Sequence, residues 1–454
     1  MHHLPVTRLL ALLLLLLPTA RGLDAQTVTG VFVGNQGNFS DGNASVTFYD
    51  PTTAQAATAL ADFGTILQSL LVHDGRVYLA SNTGGRIDVL DAVTLARIAQ
   101  IPDVPGPRYL AVVAENKAYV TNQLFGATST VTVLDLATNT AIGTIAVGGT
   151  PEEIAVRGGT AYVALGGFGA SGQVAVIDVA TDTVIETLEA GCDGARSLVV
   201  DEQDELHVFC TGKTVYNDDF TQIIEQTNGA IVTFDADHEE IGRIALTTQH
   251  GSAGPGQNVF YAAAAEEAYV VIDDERQVLR FDTAVNALVD TLRLGGADGI
   301  GAVAYDAAGA RLYVGRVTGF TTAGYVTIHD RAGTELSRFD AGIAPAHIAF
   351  RYERTATATT PVASTRPVRA TLHPAYPNPF TPRTTLPLEL TRPGTVRLTI
   401  VNLLGQTVAT LVDGALPAGT HRIRWDAADQ PAGVYLARLE VDGRVRVQRL
   451  VRVP

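Results

Sequence analysis

The chain has 454 residues, of which 46% are hydrophobic and 17% charged, so it is expected to be globular rather than disordered, with at least two folded units. Its net charge at pH 7 is −15, although residues 366–454 hold more arginine than acidic residues. A chain this acidic lacks the basic surface that nucleic-acid binding requires, so no nucleic-acid partner is expected.

The first 25 residues have the features of a secretory signal peptide. Arg8 provides a positive start, and the nine apolar residues from Leu9 to Leu17 are too few to span a bilayer. We expect cleavage after Ala25, with cleavage after Gly22 as the alternative. No later stretch is long and apolar enough for a transmembrane helix. The sequence therefore predicts an exported protein whose mature chain has no transmembrane segment.

A short strand-like phrase recurs along residues 26–353. It reads "KAYVTNQ" at 117–123, and its variants include "RVYLASN", "TAYVALG" and "RLYVGRV". The repeats align on one anchor residue each, namely Phe32, Tyr78, Tyr119, Tyr162, His207, Tyr269 and Tyr313. The anchors are 41 to 46 residues apart, except for one step of 62 residues before Tyr269. A period in the low forties with several strands per unit is typical of propeller blades.

Each repeat continues with an alternating strand that ends in aspartate. The seven residues are Asp50, Asp91, Asp135, Asp178, Asp235, Asp282 and Asp330. Because an aspartate before a tight turn accepts hydrogen bonds from backbone N–H groups two residues on, we interpret these residues as turn formers rather than metal ligands. Two further strands complete each unit, which predicts seven four-stranded blades.

The order of strands predicts how the ring closes. The chain enters at the second strand of a blade and ends with a first strand, "AHIAF" at 346–350. That last strand is expected to pair beside the N-terminal strands and complete a composite blade, which leaves no open edge.

These repeats resemble the YVTN family of seven-bladed β-propellers, which includes bacterial surface-layer-like proteins. The residues that carry the resemblance are Tyr119 to Asn122, "TVLDLATNT" at 132–140 and "GGTPEEIAV" at 148–156. The resemblance implies the propeller fold for residues 26–353. It does not define a function, because propellers bind or transform many different molecules.

The composition changes after the repeats. Residues 354–371 are rich in Thr, Ala, Pro and Ser, which predicts an extended linker. Residues 372–454 contain alternating segments separated by Gly, Pro and Asp turns, which predicts a small Ig-like β-sandwich. The predicted fold class is therefore all-β, a seven-bladed β-propeller followed by a small sandwich.

The C-terminal segment resembles the type A sorting domain of cargo of the type IX secretion system of the Bacteroidota. The resemblance is carried by four motifs in order, "PNPF", "NLLGQTV", "AGTHRIRWD" and "AGVYLARLE". The motif residues are Pro377, Asn378, Pro379, Phe380, Gly405, Gln406, Trp425, Asp426, Gly433 and Tyr435. The resemblance implies the type IX machinery as a partner. It also implies that the domain is removed and that the protein is then released or attached at the cell surface. An Ig-like spacer related to flagellar hook-cap proteins is the alternative.

The sequence contains no motif for a catalytic or metal centre. We find no HExxH, no CxxC, no GxSxG and no phosphate-binding glycine loop. We therefore predict no catalytic residue, metal ligand or cofactor, apart from the Ca²⁺ considered below.

The starts of the first strands are expected to meet at the mouth of the central channel. Alignment on Ile154 places there Gln68, Arg108, Tyr109, Glu152, Glu153, Arg196, Gln257, Asn258 and His347. Two guanidinium groups at this channel mouth could hold a carboxylate or a phosphate. Alternatively, Arg108, Glu152 and Arg196 pair with one another and tie neighbouring blades together.

The longest insertion, residues 210–229 of the fourth blade, accounts for the long step between anchors. It contains Tyr216, Asp218, Asp219 and Phe220. An aromatic side chain beside two acids could contact a partner or bind Ca²⁺, because long loops on a rigid scaffold often carry function. A merely tolerated insertion is the alternative.

The chain has two cysteines. Cys192 precedes the first strand of the fourth blade and Cys210 ends its second strand. Antiparallel pairing would bring the two together, so we predict a disulfide in the exported protein. Two free buried thiols are the alternative.

The sequence thus favours a monomeric, exported propeller that binds an unknown surface ligand or protein through one face rather than an enzyme. Two other functions stay open. One is a propeller enzyme of the lactonase or lyase type, and the other is a purely structural envelope protein.

Overall fold

A computed structural model describes residues 26–453 except 62, 125–127, 220, 253–255, 355–369, 374, 391–393, 403–405, 418, 442 and 443. The predicted signal peptide, most of the predicted linker, Phe220 and Gly405 lie outside the described residues. The chain divides into two compact units, one before and one after residue 355.

The first unit consists of four-stranded antiparallel sheets, which we number in chain order with the composite sheet last. After β1 (Gln26–Asn35), β2 (Ser45–Asp50) and β3 (Gln55–Ala61), sheets 1 to 3 follow as consecutive strands. They are β4 (Leu67–His73), β5 (Arg76–Ser81), β6 (Arg86–Asp91) and β7 (Arg97–Ile101) in sheet 1; β8 (Pro107–Ala114), β9 (Lys117–Asn122), β10 (Thr130–Asp135) and β11 (Thr140–Ala146) in sheet 2; and β12 (Ile154–Arg157), β13 (Thr160–Ala164), β14 (Gln173–Asp178) and β15 (Thr183–Glu189) in sheet 3.

Sheets 4 to 6 repeat this order, with an extra hairpin, β18 (Thr214–Tyr216) and β19 (Ile223–Gln226), inserted in sheet 4. Their strands are β16 (Ala195–Val200), β17 (Leu206–Cys210), β20 (Ala230–Phe234) and β21 (Glu240–Ala245) in sheet 4; β22 (Val259–Ala262), β23 (Glu267–Ile272), β24 (Gln277–Asp282) and β25 (Ala287–Arg293) in sheet 5; and β26 (Gly299–Asp306), β27 (Arg311–Val317), β28 (Ala323–His329) and β29 (Glu335–Ile343) in sheet 6. Two single-turn 3₁₀ helices span Gly167–Gly169 and Ala263–Ala265.

Sheet 7 joins the two ends of the first unit. Its strand β30 (Pro345–Arg354) pairs antiparallel with β1, for example at Phe32 with Ala349, and the sheet order is β3-β2-β1-β30. The predicted composite blade is therefore confirmed. The pairing matters because it provides both β1 and β30 with hydrogen-bond partners that would otherwise be missing at the two ends of the first unit.

The sheets follow one another around a closed ring. The first strands touch in the order β4, β8, β12, β16, β22, β26 and β30, and β30 returns to β4. An apolar cluster fills the space between each pair of neighbouring sheets among the described residues. This arrangement is that of a β-propeller, in which each sheet buries both faces against its neighbours.

The repeated phrase forms the second strand of each sheet, and its anchor lies in the core. Tyr78, Tyr119 and Tyr269 are among the largest fully buried side chains, and Phe32 occupies the same position in sheet 7. The aspartates that end the third strands accept backbone N–H groups, as in Thr52 to Asp50 at 2.7 Å and Ala137 to Asp135 at 2.8 Å. Their predicted role as turn formers is confirmed.

The second unit has two antiparallel sheets around one core. Its strands are β31 (Ala370–Leu372), β32 (Arg383–Leu390), β33 (Gly394–Asn402), β34 (Thr407–Leu416), β35 (Gly419–Asp426), β36 (Gly433–Val441) and β37 (Arg444–Arg452). One sheet has the order β31-β32-β35 and the other β34-β33-β36-β37. Trp425 packs against Phe380 and Tyr435 at ring-centre distances of 5.4 and 5.1 Å. Three of the motif aromatics thus form part of this core.

Among the residues that the structure describes, no helix has the length and apolar character needed to span a membrane.

Ring closure generates the first prediction. A chain truncated after Ala344 lacks β30, so sheet 7 loses its innermost strand and its apolar contacts with sheets 1 and 6. We expect this chain to lose cooperative thermal unfolding, measured by circular dichroism. A chain truncated after Arg354 is the control and should melt cooperatively. A sharp transition in the shorter chain would contradict the role of β30.

Candidate functional site

The top face is the end of the ring where each first strand begins and each second strand ends. The loops between the second and third strands lie at this end, and so do the predicted channel-mouth residues. The top face therefore collects the loops that vary most between sheets, on a frame held by the ring.

Three charged residues of the channel mouth form one buried network. The Arg108 Nη2 atom donates to both carboxylate oxygens of Glu152, at 2.5 and 2.6 Å, and its Nη1 atom donates to Gln68 Oε1 at 2.9 Å. Arg196 Nε lies 4.0 Å from the same carboxylate. Arg108 is 5% exposed and Glu152 1% exposed. Glu152 thus bridges two guanidinium groups and connects sheets 2, 3 and 4.

Aromatic and backbone groups fill the space beside this network. Tyr109 packs edge-on against His347 with ring centres 5.7 Å apart, and both residues are 7% exposed. The Gly256 carbonyl accepts from Tyr109 Oη at 3.5 Å and from Arg196 Nη2 at 3.3 Å. A Cβ atom at Gly256 would collide with the Gly301 carbonyl oxygen, so the backbone here is tightly packed.

Two titratable groups of the channel mouth are shifted toward their neutral forms. Burial raises the pKa of Glu153 to about 7, against the opposing hydrogen bonds of the Ser197 hydroxyl and the Leu198 N–H. Burial, together with the positive charges of Arg196 and Arg108, lowers the pKa of His347 to about 3. Neutral forms are favoured because a charge without a partner is costly away from water.

Two other predicted mouth residues serve the local backbone instead. Gln257 Oε1 accepts the Ile348 N–H at 3.2 Å, and Asn258 Oδ1 accepts the N–H and the hydroxyl of Ser252, each at 2.8 Å. The structure therefore brings Gln68, Arg108, Glu152 and Arg196 together, whereas Gln257 and Asn258 bond to nearby groups of the chain.

The insertion of sheet 4 forms a short hairpin with an exposed apolar surface. Tyr216 is 46% exposed, and Ile223 and Ile224 are 52% and 64% exposed. The hairpin turn is closed within itself, because Asn217 Oδ1 accepts the Thr221 and Gln222 N–H groups and Asp219 accepts from the Thr221 hydroxyl at 3.0 Å. Asp218 is exposed. Cys192 and Cys210 are paired as a disulfide at the base of this insertion, with Cα atoms 6.1 Å apart.

Sequence reasoning missed an aromatic pattern on the same face. Phe39, Phe168 and Phe320 stand in the loops between the second and third strands of sheets 7, 3 and 6 and are 72%, 73% and 43% exposed. The signal was present in the sequence, because each lies in a polar, glycine-containing loop, "GNFSDG", "GGFGAS" and "TGFTTAG". The pattern is overlooked when every phenylalanine is assumed to lie in the core.

A second missed group lies where the first strand of sheet 4 turns into the second. Asp201, Glu205 and His207 place one potential ligand atom each within 4.8 Å of one another, and such a set could hold a metal ion. His207 was identified only as the anchor of its repeat.

Comparison with known proteins assigns both units. Residues 29–343 match the family described as "Domain of unknown function (DUF5074)". Residues 374–453 match the "Secretion system C-terminal sorting domain". No curated protein matches the chain.

Several solved structures resemble the fold. A functionally unknown protein from Desulfotomaculum acetoxidans DSM 771 has a TM-score of 0.53 at 11% identity, covering 71% of this chain and 99% of its own. A quinonprotein alcohol dehydrogenase-like protein from Bacteroides thetaiotaomicron VPI-5482 has 0.52 at 13%, covering 72% and 79%. A candidate 6-phosphogluconolactonase from Bacteroides fragilis NCTC 9343 has 0.52 at 12%, covering 72% and 98%. At these identities the likeness shows the fold alone.

The sorting domain decides where the protein acts. A type IX sorting domain implies export through the outer membrane, followed by attachment to the cell surface or release outside the cell. The family match of the first unit, residues 29–343, covers more than half of the chain. The chain therefore belongs to the family described as Domain of unknown function (DUF5074).

Proposed function

We propose that this protein is a seven-bladed β-propeller of the YVTN kind that acts outside the cell and binds a surface partner through its top face. The Ig-like second unit directs export through the type IX machinery, and residues 1–25 are the signal peptide that starts it. The seven four-stranded sheets and the sorting domain support this proposal.

The exposed phenylalanines of the top face carry the proposal. Soluble proteins seldom expose large aromatic side chains at several equivalent loops, and such residues are typical of binding surfaces. Phe39, Phe168 and Phe320 come from three different sheets, and the sheet 4 hairpin adds Tyr216 and Ile223 to the same face. Core packing does not explain them, because each phenylalanine is between 43% and 73% exposed.

The backbone at Phe168 supports the same interpretation. Its φ of 60° and ψ of 24° place it in the left-handed region, which bulky residues rarely adopt. A strained residue with an exposed aromatic side chain is costly for the fold, and such strain concentrates at binding and catalytic sites. Glycines on both sides, Gly167 and Gly169, allow the loop to make this turn.

An enzyme of the lactonase or lyase type is less well supported. Such an enzyme needs carboxylates or histidines that reach a substrate at the channel mouth. Here Glu152, Arg108 and His347 are buried, and the backbone of Gly256 and Gly301 fills the space between strands. We infer that the Arg108–Glu152–Arg196 network ties sheets together. A purely structural envelope protein would have no partner at the top face, which the following experiment tests.

Replacing the three exposed phenylalanines should abolish binding without unfolding the ring. We expect the triple variant Phe39→Ser, Phe168→Ser, Phe320→Ser to bind envelope fragments of its host at least tenfold more weakly than the exported protein, measured by co-sedimentation. The reason is that each lost ring removes apolar area buried at the interface.

The matched control changes apolar residues of similar exposure on the fourth strands. Ile98, Ile142 and Ile185 are 50%, 60% and 61% exposed and lie on β7, β11 and β15. The triple variant Ile98→Ser, Ile142→Ser, Ile185→Ser should bind like the unchanged protein. Equal binding by all three proteins, or an equal loss in both variants, would count against a top-face site.

Glu153 should make the stability of the ring depend on pH. Its pKa rises from the usual 4.5 to about 7 on folding, so between these values the folded state keeps a proton that the unfolded state has lost. The free energy of unfolding should therefore fall by about 3 kcal/mol as the pH rises from 4.5 to 7 and then level off. Urea unfolding of a Glu153→Gln variant should lack this decline, whereas Glu189→Gln at an exposed position should retain it.

The disulfide should add stability outside the cell. Closing a loop of this length restricts the unfolded chain, which the chain-entropy model values at about 3 kcal/mol. Mass spectrometry of the exported protein should show no free thiol, and dithiothreitol should lower its free energy of unfolding by that order. A Cys192→Ser, Cys210→Ser variant should not respond to dithiothreitol. Two alkylated thiols in the exported protein would contradict the disulfide.

A further inference from the structure

The hairpin between the first two strands of sheet 4 differs from all its counterparts at the anchor and from most of them two residues earlier. The anchor is tyrosine in sheets 1, 2, 3, 5 and 6 and phenylalanine in sheet 7, but His207 in sheet 4. Two residues before the anchor, sheets 1, 2 and 6 have Arg76, Lys117 and Arg311, whereas sheet 4 has Glu205. Both departures introduce groups that bind metal ions.

These two residues meet Asp201 in the interior. Asp201 and His207 are 0% exposed, and the ligand atoms of all three residues lie within 4.8 Å of one another. His207 Nδ1 lies 3.0 Å from Thr233 Oγ1, and Nε2 lies 3.3 Å from Asp201 Oδ2. A hydroxyl on one ring nitrogen holds the other toward the carboxylates, as partners of metal-binding histidines commonly do.

Apart from His207 itself, the carboxylates of this group have no basic partner among the described residues. Within the described part of the chain, no lysine or arginine forms an ion pair with Asp201 or Glu205. Sheet 5 gives the contrast, because Glu267, at the position equivalent to Glu205, pairs with Arg280 and Arg331 at 2.6 Å each. Carboxylates that are buried are normally paired or coordinate a metal.

Two buried amide oxygens, on residues next to this group, have no hydrogen-bond partner. The amide nitrogen of Asn286 donates to Glu205 Oε2 at 2.7 Å. The Oδ1 atom of the same side chain is buried and has no hydrogen-bond partner. Gln203 Oε1, two residues from Asp201 and from Glu205, is likewise buried and without a partner. An acceptor without a donor is costly in the interior, and a bound ion or water is one explanation for such an atom.

We propose that Asp201, Glu205 and His207 bind a divalent transition-metal ion, for which Zn²⁺ is the best match. One imidazole and two carboxylates are a donor set that Zn²⁺ accepts, with the fourth position of a tetrahedral site left for a water molecule. The site lies at the end of sheet 4 opposite the top face and is independent of the proposed partner binding. Its competitor is a metal-free ion pair between His207 and Asp201.

Isothermal titration of the EDTA-treated exported protein with Zn²⁺ tests the proposal. We expect one ion per chain and a rise in melting temperature on binding, since Zn²⁺ would bind only the folded state. His207→Tyr restores the anchor of the other sheets, so it should keep the fold. It should weaken Zn²⁺ binding more than tenfold and remove the rise in melting temperature.

The chain provides its own control in sheet 6. Asp306 begins the equivalent turn there and accepts the Ala308 and Gly309 N–H groups, but its anchor is Tyr313 and Arg311 replaces the glutamate. Asp306→Asn should leave Zn²⁺ binding unchanged. Should His207→Tyr fail to fold, His207→Gln replaces it. No binding by the unchanged protein, or equal binding by the His207 variant, would overturn the site and favour the ion pair.

Discussion

The pairing of β1 with β30 is the interaction on which the first unit depends. It joins residues more than 300 positions apart and turns a row of sheets into a ring. Once the ring is closed, each sheet has a neighbour on both faces, and the seven apolar clusters between sheets become mutually dependent. A single sheet could not bury both of its apolar faces, so stability belongs to the ring rather than to the repeat.

Closure also explains which parts of the ring are free to carry function. Residues inside the sheets are constrained on both sides, whereas loops at the ends of the ring add or lose residues without disturbing the packing. The sheet 4 insertion and the exposed Phe168 occupy such loops. At the channel mouth, by contrast, Glu152 and Arg108 are buried and form an ion pair that joins sheets 2 and 3.

The sequence predicted the elements of the ring because each depends on local pattern. Alternation identifies the strands, Tyr119 and its counterparts mark the second strand, and the aspartates mark the turns. At the channel mouth, the sequence predicted pairing of Arg108, Glu152 and Arg196 only as one of two alternatives, and it gave no partner for Gln257. Gln257 and Glu152 align at equivalent positions, yet one binds a backbone N–H and the other a guanidinium group. That choice depends on neighbouring sheets, which spacing within one repeat does not describe.

Departures from the repeat are therefore more informative than the repeat itself. The consensus residues satisfy packing that every sheet shares, so a residue that leaves the consensus needs a reason specific to its own sheet. His207 replaces a core tyrosine, and Phe168 adopts a backbone conformation that phenylalanine rarely takes. The proposed metal ion near His207 and the proposed partner at Phe168 would each provide such a reason.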